Sequence, residues 1–564
     1  MNARRHIGAG PCRPGLSGAT RPGSVLAIVT CVVFVCCITS LAQTTQPENA
    51  AARWASLFER DENGFTNFPL GEDARIILIS STDGSDFNDG MLAPVRTLKK
   101  AVSVARVGHP DRILFKRGDA FSEANLNANI ALRGRSAMEP VIIGAYGDIR
   151  LPRPVLKSHL GLGARPSPRF LVLQGLDLYA ESRDPAVKSF SRRRMSAAQN
   201  TGIDLACEGS FLWIEDCRCR DFGMGIVLQS KETDLFDTLV VRRCQVVDSW
   251  NFSFSSGLYI DNFENVLIEE NLFDHNGWAE GVPGGGKTIF NHNMYLQRVE
   301  VGEDRHFIVR NNISARASSH GCQMRPGGLL ENNLFLKDPL GAYVSYAPSV
   351  VRDNVVLDAD GIGPGLGRGQ GLEFLNCPTV LVDGNIVAHK TDRANGMEAM
   401  SYDPSKHNSR GLPMAGEFRN NVVYDWAGVA FRLAAPSQEL SVHDNFFQQR
   451  DDRLIELKAW KASYVFRNNE YISQGPRLFR IGEADLDWKQ WQGETGDGSH
   501  WGRTTFLDPS RDIASYGKSI GLSDATLEGF LAAARQQRRG HWDPRLTAQA
   551  VNDYIRAGFI RKSK

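Results

Sequence analysis

The sequence predicts an all-β solenoid, a right-handed parallel β-helix with an N-terminal capping helix and a C-terminal helical cap. Three observations carry that expectation. A short phrase built on Asn or Cys recurs through the middle of the chain, and a second phrase opening mostly on Gly recurs out of step with it. The chain, at 564 residues, is also too long for one ordinary globular core.

The first phrase reads IEDCRC, VRRCQVV, IEENLF, VRNNIS, LENNLF, VRDNVV, VDGNIV, FRNNVV, VHDNFF and FRNNEY. Its fourth residue is Cys217, Cys244, Asn271, Asn312, Asn333, Asn354, Asn385, Asn421, Asn445 or Asn469. The intervals 333 − 312 and 354 − 333 are both 21, and the two at the start are 27. A fixed minimum with variable excess is what stacked coils with loop insertions give. The segments are short, β-branched and alternating, without the three-to-four spacing of a helix, so the coils are strands. Stacked Asn side chains can hydrogen-bond along the axis and tolerate the left-handed bends that turn one strand into the next. Cys217 and Cys244 share this position, where a small apolar side chain suffices, and are expected to be reduced and stacked.

The second phrase is GIDLA, GIVLQ, GLYID, NMYLQ, GCQMR, GAYVS, GLEFL and GVAFR, one per coil. Period-two alternation turns its second and fourth residues inward and its third and fifth outward. The outward set is Asp204, Gln229, Tyr259, Asp261, Tyr295, Gln297, Gln323, Arg325, Tyr343, Ser345, Glu373 and Arg432, a polar and aromatic groove. His292 and His320 stand directly before two neighbouring strands. At ~4.8 Å per coil, Tyr259, Tyr295, His292, His320, Gln323 and Arg325 fall within about 10 Å of one another. Insertions at 274–291, with Trp278, and at 359–370 and 389–416 are expected to leave after the Asn corner and wall the groove.

The ends are organised differently. Residues 1–42 carry four arginines, an apolar run from Val25 to Ile38, and Ser40-Leu41-Ala42, the pattern of a cleaved signal peptide for secretion or periplasmic export. An uncleaved anchor is the alternative, although the run is shorter than the ~20 apolar residues of a spanning helix. Residues 43–165 read as the N-terminal cap and first coils, 166–480 as the β-helix and 481–564 as a helical capping region. Within the last, Ser523–Gly540 and Asp543–Gly558 read as helices lying on the open end of the solenoid. Lys+Arg 65 against Asp+Glu 64, without a basic block, excludes a nucleic-acid partner. The segment GVPGGGKT at Gly281–Thr288 matches the pattern of a phosphate-binding loop but lacks the strand before and helix after it, so nucleotide binding is excluded and Lys287 is read as a loop residue reaching the groove.

With these repeats the sequence resembles the pectate-lyase-like family of right-handed parallel β-helices over roughly residues 75 to 480. The segment STDGSDFNDG, the helix-like TLKKAVSVA and the strand RILFKRGD likewise resemble the way such proteins cap their first coil. The resemblance is specific for fold and weak for activity, since the fold hosts lyases, epimerases, hydrolases and adhesins. The leading expectation is a monomeric polysaccharide lyase cleaving a uronate-containing glycan by β-elimination. Arg325 would neutralise the carboxylate, His292 or His320 would take the C5 proton, and Tyr295 would protonate the departing oxygen. Tyr259, Asp261, Gln297, Gln323, Tyr343, Glu373, Lys287 and Trp278 would bind substrate. Calcium serves some relatives in neutralisation, and its clustered aspartates are not evident here. The alternatives are a hydrolase or C5-epimerase of the same fold, or a glycan-binding protein without catalysis. For hydrolysis, Asp261 and Glu373 are too far apart, at four coils or about 19 Å, whereas Asp204 and Asp261, two coils apart, just qualify.

Overall fold

The computed structural model describes residues 49–562, apart from 166, 192–199, 208, 231–235, 298–305, 364–366, 394–395, 406–411, 451, 476–477 and 503. The expected signal peptide lies outside the described residues. No helix among the described residues is long and apolar enough to cross a membrane.

A full coil contributes three strands, and strands of successive coils pair in parallel, whereas Ala484–Leu486 turns back antiparallel on Phe479–Ile481. Thirteen of them form one sheet, here sheet A, running from Leu162–Ala164 to Ala484–Leu486. Another 27 strands form the other two faces. These are sheet B, from Ile76–Ile79 to Gly498–Trp501, and sheet C, from Ala120–Phe121 to Phe446–Gln449. The long strand Tyr464–Ser473 belongs to both faces, pairing with Glu439–His443 in sheet B and Phe446–Gln449 in sheet C. The chain runs A, B, C and back to A. Each interior position meets its counterpart one coil on, as in Leu258↔Met294, Met294↔Cys322 and Cys322↔Ala342, so the core is one continuous apolar column.

The recurring Asn marks the corner between sheets B and C. Asn333 donates through Nδ2 to Asn354 Oδ1 (3.0 Å) and to Val309 O (2.9 Å), and accepts from the backbone N–H and Nδ2 of Asn312 (both 3.0 Å). The same bonds repeat from Asn271 to Asn469, where the ladder ends on Ser499. The left-handed residue is the one before each ladder position, among them Glu270, Asn311, Asn332, Asp353 and Asn420. The ladder Asn therefore holds the bend from inside rather than adopting it, which corrects the sequence reading. Cys244 continues the ladder at its N-terminal end, its N–H donating to Asn271 Oδ1. The six cysteines 207, 217, 219, 244, 322 and 377 are all buried free thiols, as expected for 217 and 244.

The glycines that open the sheet A strands have a steric cause. A Cβ on Gly225 would lie 2.4 Å from Gly257 O and from a Val246 methyl, and one on Gly371 would lie 2.3 Å from Ala399 O. The neighbouring coil's backbone occupies the space a side chain would need.

Helices occupy the flanks. Helix α1 (Ala50–Leu57) and the segment after it lay Ala51, Ala55, Phe58 and Phe68 on the outer face of sheet B, against Val172, Trp213, Val240 and Leu267. Helix α2 (Leu98–Val104) closes the first coil with Leu98 and Ala101, as expected, followed by the single turn α3 (Glu123–Leu126). At the other end α4 (Trp488–Thr495) stacks Trp491 on Phe479 (4.7 Å between centroids) and Trp488 against Tyr471 (5.5 Å).

Helices α5 (Ile513–Ser519), α6 (Leu527–Ala534) and α7 (Ala548–Gly558) do not sit on the open end, which corrects the placement read from sequence. Phe530, Leu531, Val551 and Ile555 pack along the outer face of sheet C, on Ile313, Leu334, Leu336, Val355 and Leu357. The last helix starts later than expected, because Asp543 and Pro544 open a separate 3-10 turn and Thr547 caps α7. The returning chain reaches the first coils, where Arg153 donates to Gln537 O and Arg539 pairs with Asp61. Sheet C is thus covered over much of its length and sheet B over its N-terminal coils, and sheet A carries a column of polar and aromatic side chains.

Candidate functional site in the sheet A groove

Cross-strand register lines up the outward side chains of sheet A. One column runs Tyr259↔Tyr295↔Gln323↔Tyr343↔Glu373↔Ser401↔Arg432. Beside it run Asp261, Gln297, Arg325 and Ser345, Gln297 N–H donating to Ile260 O and Arg325 N–H to Leu296 O. Tyr259 and Tyr295 meet edge to face at 5.2 Å, and the Arg325 guanidinium stands 5.0 Å from the Tyr295 ring. Arg325 Nη1 donates to Gln297 Oε1 (2.8 Å), while its Nε is buried without a hydrogen-bond partner. The structure therefore brings Tyr259, Asp261, Tyr295, Gln297, Gln323, Arg325, Tyr343 and Glu373 together as expected.

His292 and His320 lie beneath this surface rather than on it. They are 3% and 2% exposed, with Nδ1 atoms 2.8 Å apart. Their rings pack against Tyr295 (5.2 Å) and Tyr343 (5.5 Å) respectively. Burial is the first cause that holds both imidazoles neutral, His292 down to about 3 and His320 well below its ordinary value, with the charges of Arg325 and Arg368 adding to it. Because His292 Nδ1 also accepts the His320 backbone N–H, hydrogen bonding assigns the shared proton to His320 Nδ1. His320 Nε2 is then a bare acceptor, and it is buried without a partner. A buried pair of this kind positions Tyr295 and Tyr343. It does not present a base to an approaching substrate, so the catalytic role expected of His292 and His320 is corrected.

The depressed pKa values make a stability prediction. Unfolded histidine titrates near ~6.5, so the unfolded chain binds protons below that pH which the native pair refuses. The pair's contribution is present above about 6.5 and is lost as pH falls toward about 3. The midpoint of thermal unfolding should drop across that window, and less steeply in His292→Gln. An unchanged slope in the variant would place the proton uptake elsewhere.

Trp278 and Lys287 are not in the groove. Trp278 lines a separate cavity of about 400 Å³ with His275, Asp221, Asp248, Trp250 and Arg535, beside sheet C. Lys287 packs over the Trp278 ring (4.9 Å) and approaches Asp360 (3.5 Å). The insertions leave one strand later than expected, after the sheet C strands Leu272–Asp274, Val355–Leu357 and Ile386–Ala388.

Two groups were missed. The stretch 389–416 contains a sheet A strand, Met400–Asp403, which adds Ser401 and Asp403 to the groove. Arg368, in the loop before Gln370–Leu375, approaches Glu373 (3.7 Å) and Gln370 (3.4 Å), and its charge reaches both histidines. Its signal in the sequence is a lone cation in the Gly-rich run GIGPGLGRGQG.

Calcium fits these residues poorly, since it takes about 6–8 oxygen ligands. Among the described residues no three His, Cys, Asp or Glu side chains gather closely enough to hold a metal ion. The groove carboxylates are instead engaged, Asp261 with the Tyr259 hydroxyl (3.4 Å) and Glu373 with Arg368.

No protein-family model matches the sequence, and no curated protein does. Among solved structures, the chain is similar to a mannuronic-acid-specific family 6 polysaccharide lyase from human gut microbiota, at 12% identity over 86% of this chain and 99% of that one, TM-score 0.43. A mannuronan C-5 epimerase module from Azotobacter vinelandii matches at 13% identity over 67% and 91%, TM-score 0.38. A family 136 lacto-N-biosidase from Eubacterium ramulus matches at 13% over 76% and 68%, TM-score 0.37. The three differ in reaction, and the fold stands on the strand register itself. By that register the chain is a parallel β-helix with N- and C-terminal helices, and sheet A carries a polar column in which Gln323, Tyr343, Ser345 and Ser401 are buried.

Proposed function

We propose that the protein is a polysaccharide lyase that cleaves a uronate-containing glycan in the sheet A groove. The observation that carries this reading is the Arg325 guanidinium 5.0 Å from the Tyr295 ring, midway along an aromatic column. Tyrosine faces suit sugar rings, and guanidinium grips a carboxylate with paired hydrogen bonds. Neutralising that carboxylate acidifies the C5 proton.

With both histidines buried, Tyr295 is the half-exposed titratable group beside Arg325, and it takes the proton-transfer role. The C5–H bond breaks to the Tyr295 phenolate, its electron pair forms the C4–C5 double bond as the C4–O4 bond breaks, and the departing O4 takes the proton back from Tyr295. Burial raises the Tyr295 hydroxyl, and the Arg325 charge opposes that rise. The phenolate fraction therefore grows with pH, and kcat/KM should climb between about pH 7 and 9 without an inflection near the ~6.5 of a histidine. A bell centred near neutrality would remove Tyr295 as the base.

Hydrolysis is the second reading, favoured by Asp403. Glu373 pairs with Ser401 and Leu375 with Asp403, so the two carboxyls are diagonal neighbours about 7–8 Å apart, within the range glycosidases use. Burial pushes the Glu373 carboxyl up against the opposing charge of Arg368, and Glu398 and Asp403 add to the rise, as an acid requires. A panel of uronate polymers and neutral glycans separates the readings. Elimination creates an ultraviolet-absorbing unsaturated uronide, whereas hydrolysis yields reducing ends without it. Reducing ends alone would overturn the lyase reading in favour of Glu373 and Asp403.

A further inference from the structure

A second polar site lies away from sheet A, at the corner between sheets B and C in the first coils. Arg117 is 7% exposed there, and its Nη1 is buried without a hydrogen-bond partner among the described residues. The carboxylate whose charge reaches it is Asp216, which is completely buried and already engaged. Asp216 Oδ1 accepts from Arg153 Nη2 (2.5 Å) and from the Arg539 N–H (3.0 Å), while Oδ2 is buried without a partner. A Cβ on Gly175, a residue with φ 76°, would stand 3.4 Å from Arg117 Nη2 and 3.5 Å from Asp216 Oδ2. An unanswered donor group and an unanswered acceptor therefore flank one spot.

The same groups line a cavity of about 190 Å³, together with Arg112, Gln174 and Arg539. Arg539 is ion-paired with Asp61 and Asp216 with Arg153. Arg112 donates through Nη2 to the carbonyls of Phe68 (2.8 Å) and Pro69 (2.7 Å). Among the described residues, Arg112 and Arg117 are thus left without a carboxylate of their own. A guanidinium does not shed its proton in a protein, so charge buried in this way calls for a counter-charge.

We infer that this cavity binds a small oxyanion that carries its own proton, of the class of hydrogen phosphate. Arg117 and Arg112 would hold its charged oxygens, and its P–OH would donate to Asp216 Oδ2. An anion with acceptors alone, such as sulfate, would turn a charged oxygen toward the Asp216 carboxylate. Burial is the first cause lowering the Arg117 pKa; Asp216 opposes the fall, and the charges of Arg153, Arg539 and Arg538 add to it, all of which a bound anion would relieve. The walls come from the segment after helix α1, the first coils and the returning C-terminal chain, so the anion would tie three separate stretches together. This site is independent of the reading of sheet A.

Isothermal titration calorimetry of the whole chain with inorganic phosphate, sulfate or glycerol phosphate, at constant ionic strength near pH 7, tests it. Phosphate should bind saturably at a single site and at least about tenfold tighter than sulfate, the effect of one hydrogen bond to a charged group. It should also raise the midpoint of thermal unfolding. Sulfate controls for general stabilisation by excluded salts. Arg117→Met should abolish the saturable binding, yet in phosphate-free buffer it should unfold no earlier than the unmodified protein, since it removes an uncompensated buried charge. If that variant does not fold, Arg117→Lys, which loses the planar fork, should weaken phosphate at least about tenfold. Glycerol phosphate bound as tightly as phosphate would support the site and make a larger phosphorylated molecule its ligand. Sulfate bound as tightly as phosphate would overturn the protonated-anion assignment. Absence of saturable phosphate binding, or binding unchanged in a folded variant, would overturn the site and leave water as the partner of Arg117 and Asp216.

Discussion

Arg325→Ala should lower kcat/KM on a cleaved uronate glycan by about 10²-fold or more, the typical cost of deleting one preorganised charge-stabilising donor. The guanidinium lies between Tyr295 and Gln297, held by one hydrogen bond of 2.8 Å, with its Nε buried and unpartnered. The Nη donors are the ones expected to grip the substrate carboxylate, since the buried Nε cannot reach it. Without them the substrate carboxylate keeps its full charge, and the C5 proton becomes too weakly acidic for a phenolate to remove. Lysine at this position should recover only part of the loss, because it offers a point charge in place of a planar fork. Arg368→Ala should raise KM more than it lowers kcat, since this guanidinium is already shared with Glu373 and Gln370. Initial rates of ultraviolet absorbance, with circular dichroism to show folding, check both variants. Wild-type rates in Arg325→Ala would remove the carboxylate-neutralising role.

Asn333→Asp should destabilise the solenoid by about 3 kcal/mol, read as a shift in the denaturant midpoint. Asn333 is completely buried and donates to Val309 O and Asn354 Oδ1 while accepting from Asn312. An aspartate keeps the shape and the acceptor. It loses both donors, however, and turns a carboxylate toward two oxygens at 2.9 and 3.0 Å. Either the charge is buried unpaired or the group must bind a proton, and both cost stability. Lower pH should restore part of the loss, since protonation returns one donor. A neutral effect at pH 7 would mean that the amide ladder is not what sets the coil register.

The solenoid was legible because its repeat is physical: each Asn must reach the next, and each opening Gly must clear the next coil's backbone. The groove followed from the same period-two alternation. Some of what was missed was also present. The sheet C strands, such as Leu334–Leu336 and Val355–Leu357, are apolar on both faces, the mark of a strand covered outside as well as in. That signal could have located helices α5 to α7. The strand Met400–Asp403 was hidden because Ala399 stands where most coils have Gly, and in the next coil Ala430 holds that place, two residues on from the Gly428 read from sequence. Arg368 could not be placed, since the course of a Gly-rich loop is set by contacts distant in sequence. Trp278 and Lys287 failed for the same reason, as their insertion turns toward sheet C.

The most direct test is a crystal structure of Arg325→Lys soaked with an acidic oligosaccharide. The account predicts sugar density along the column from Tyr259 to Glu373, rings against Tyr259 and Tyr343, and one carboxylate between residue 325 and Arg368 with its C5 facing Tyr295. Sugar in the cavity beside Trp278, or a carboxylate seated away from both cations, would contradict it.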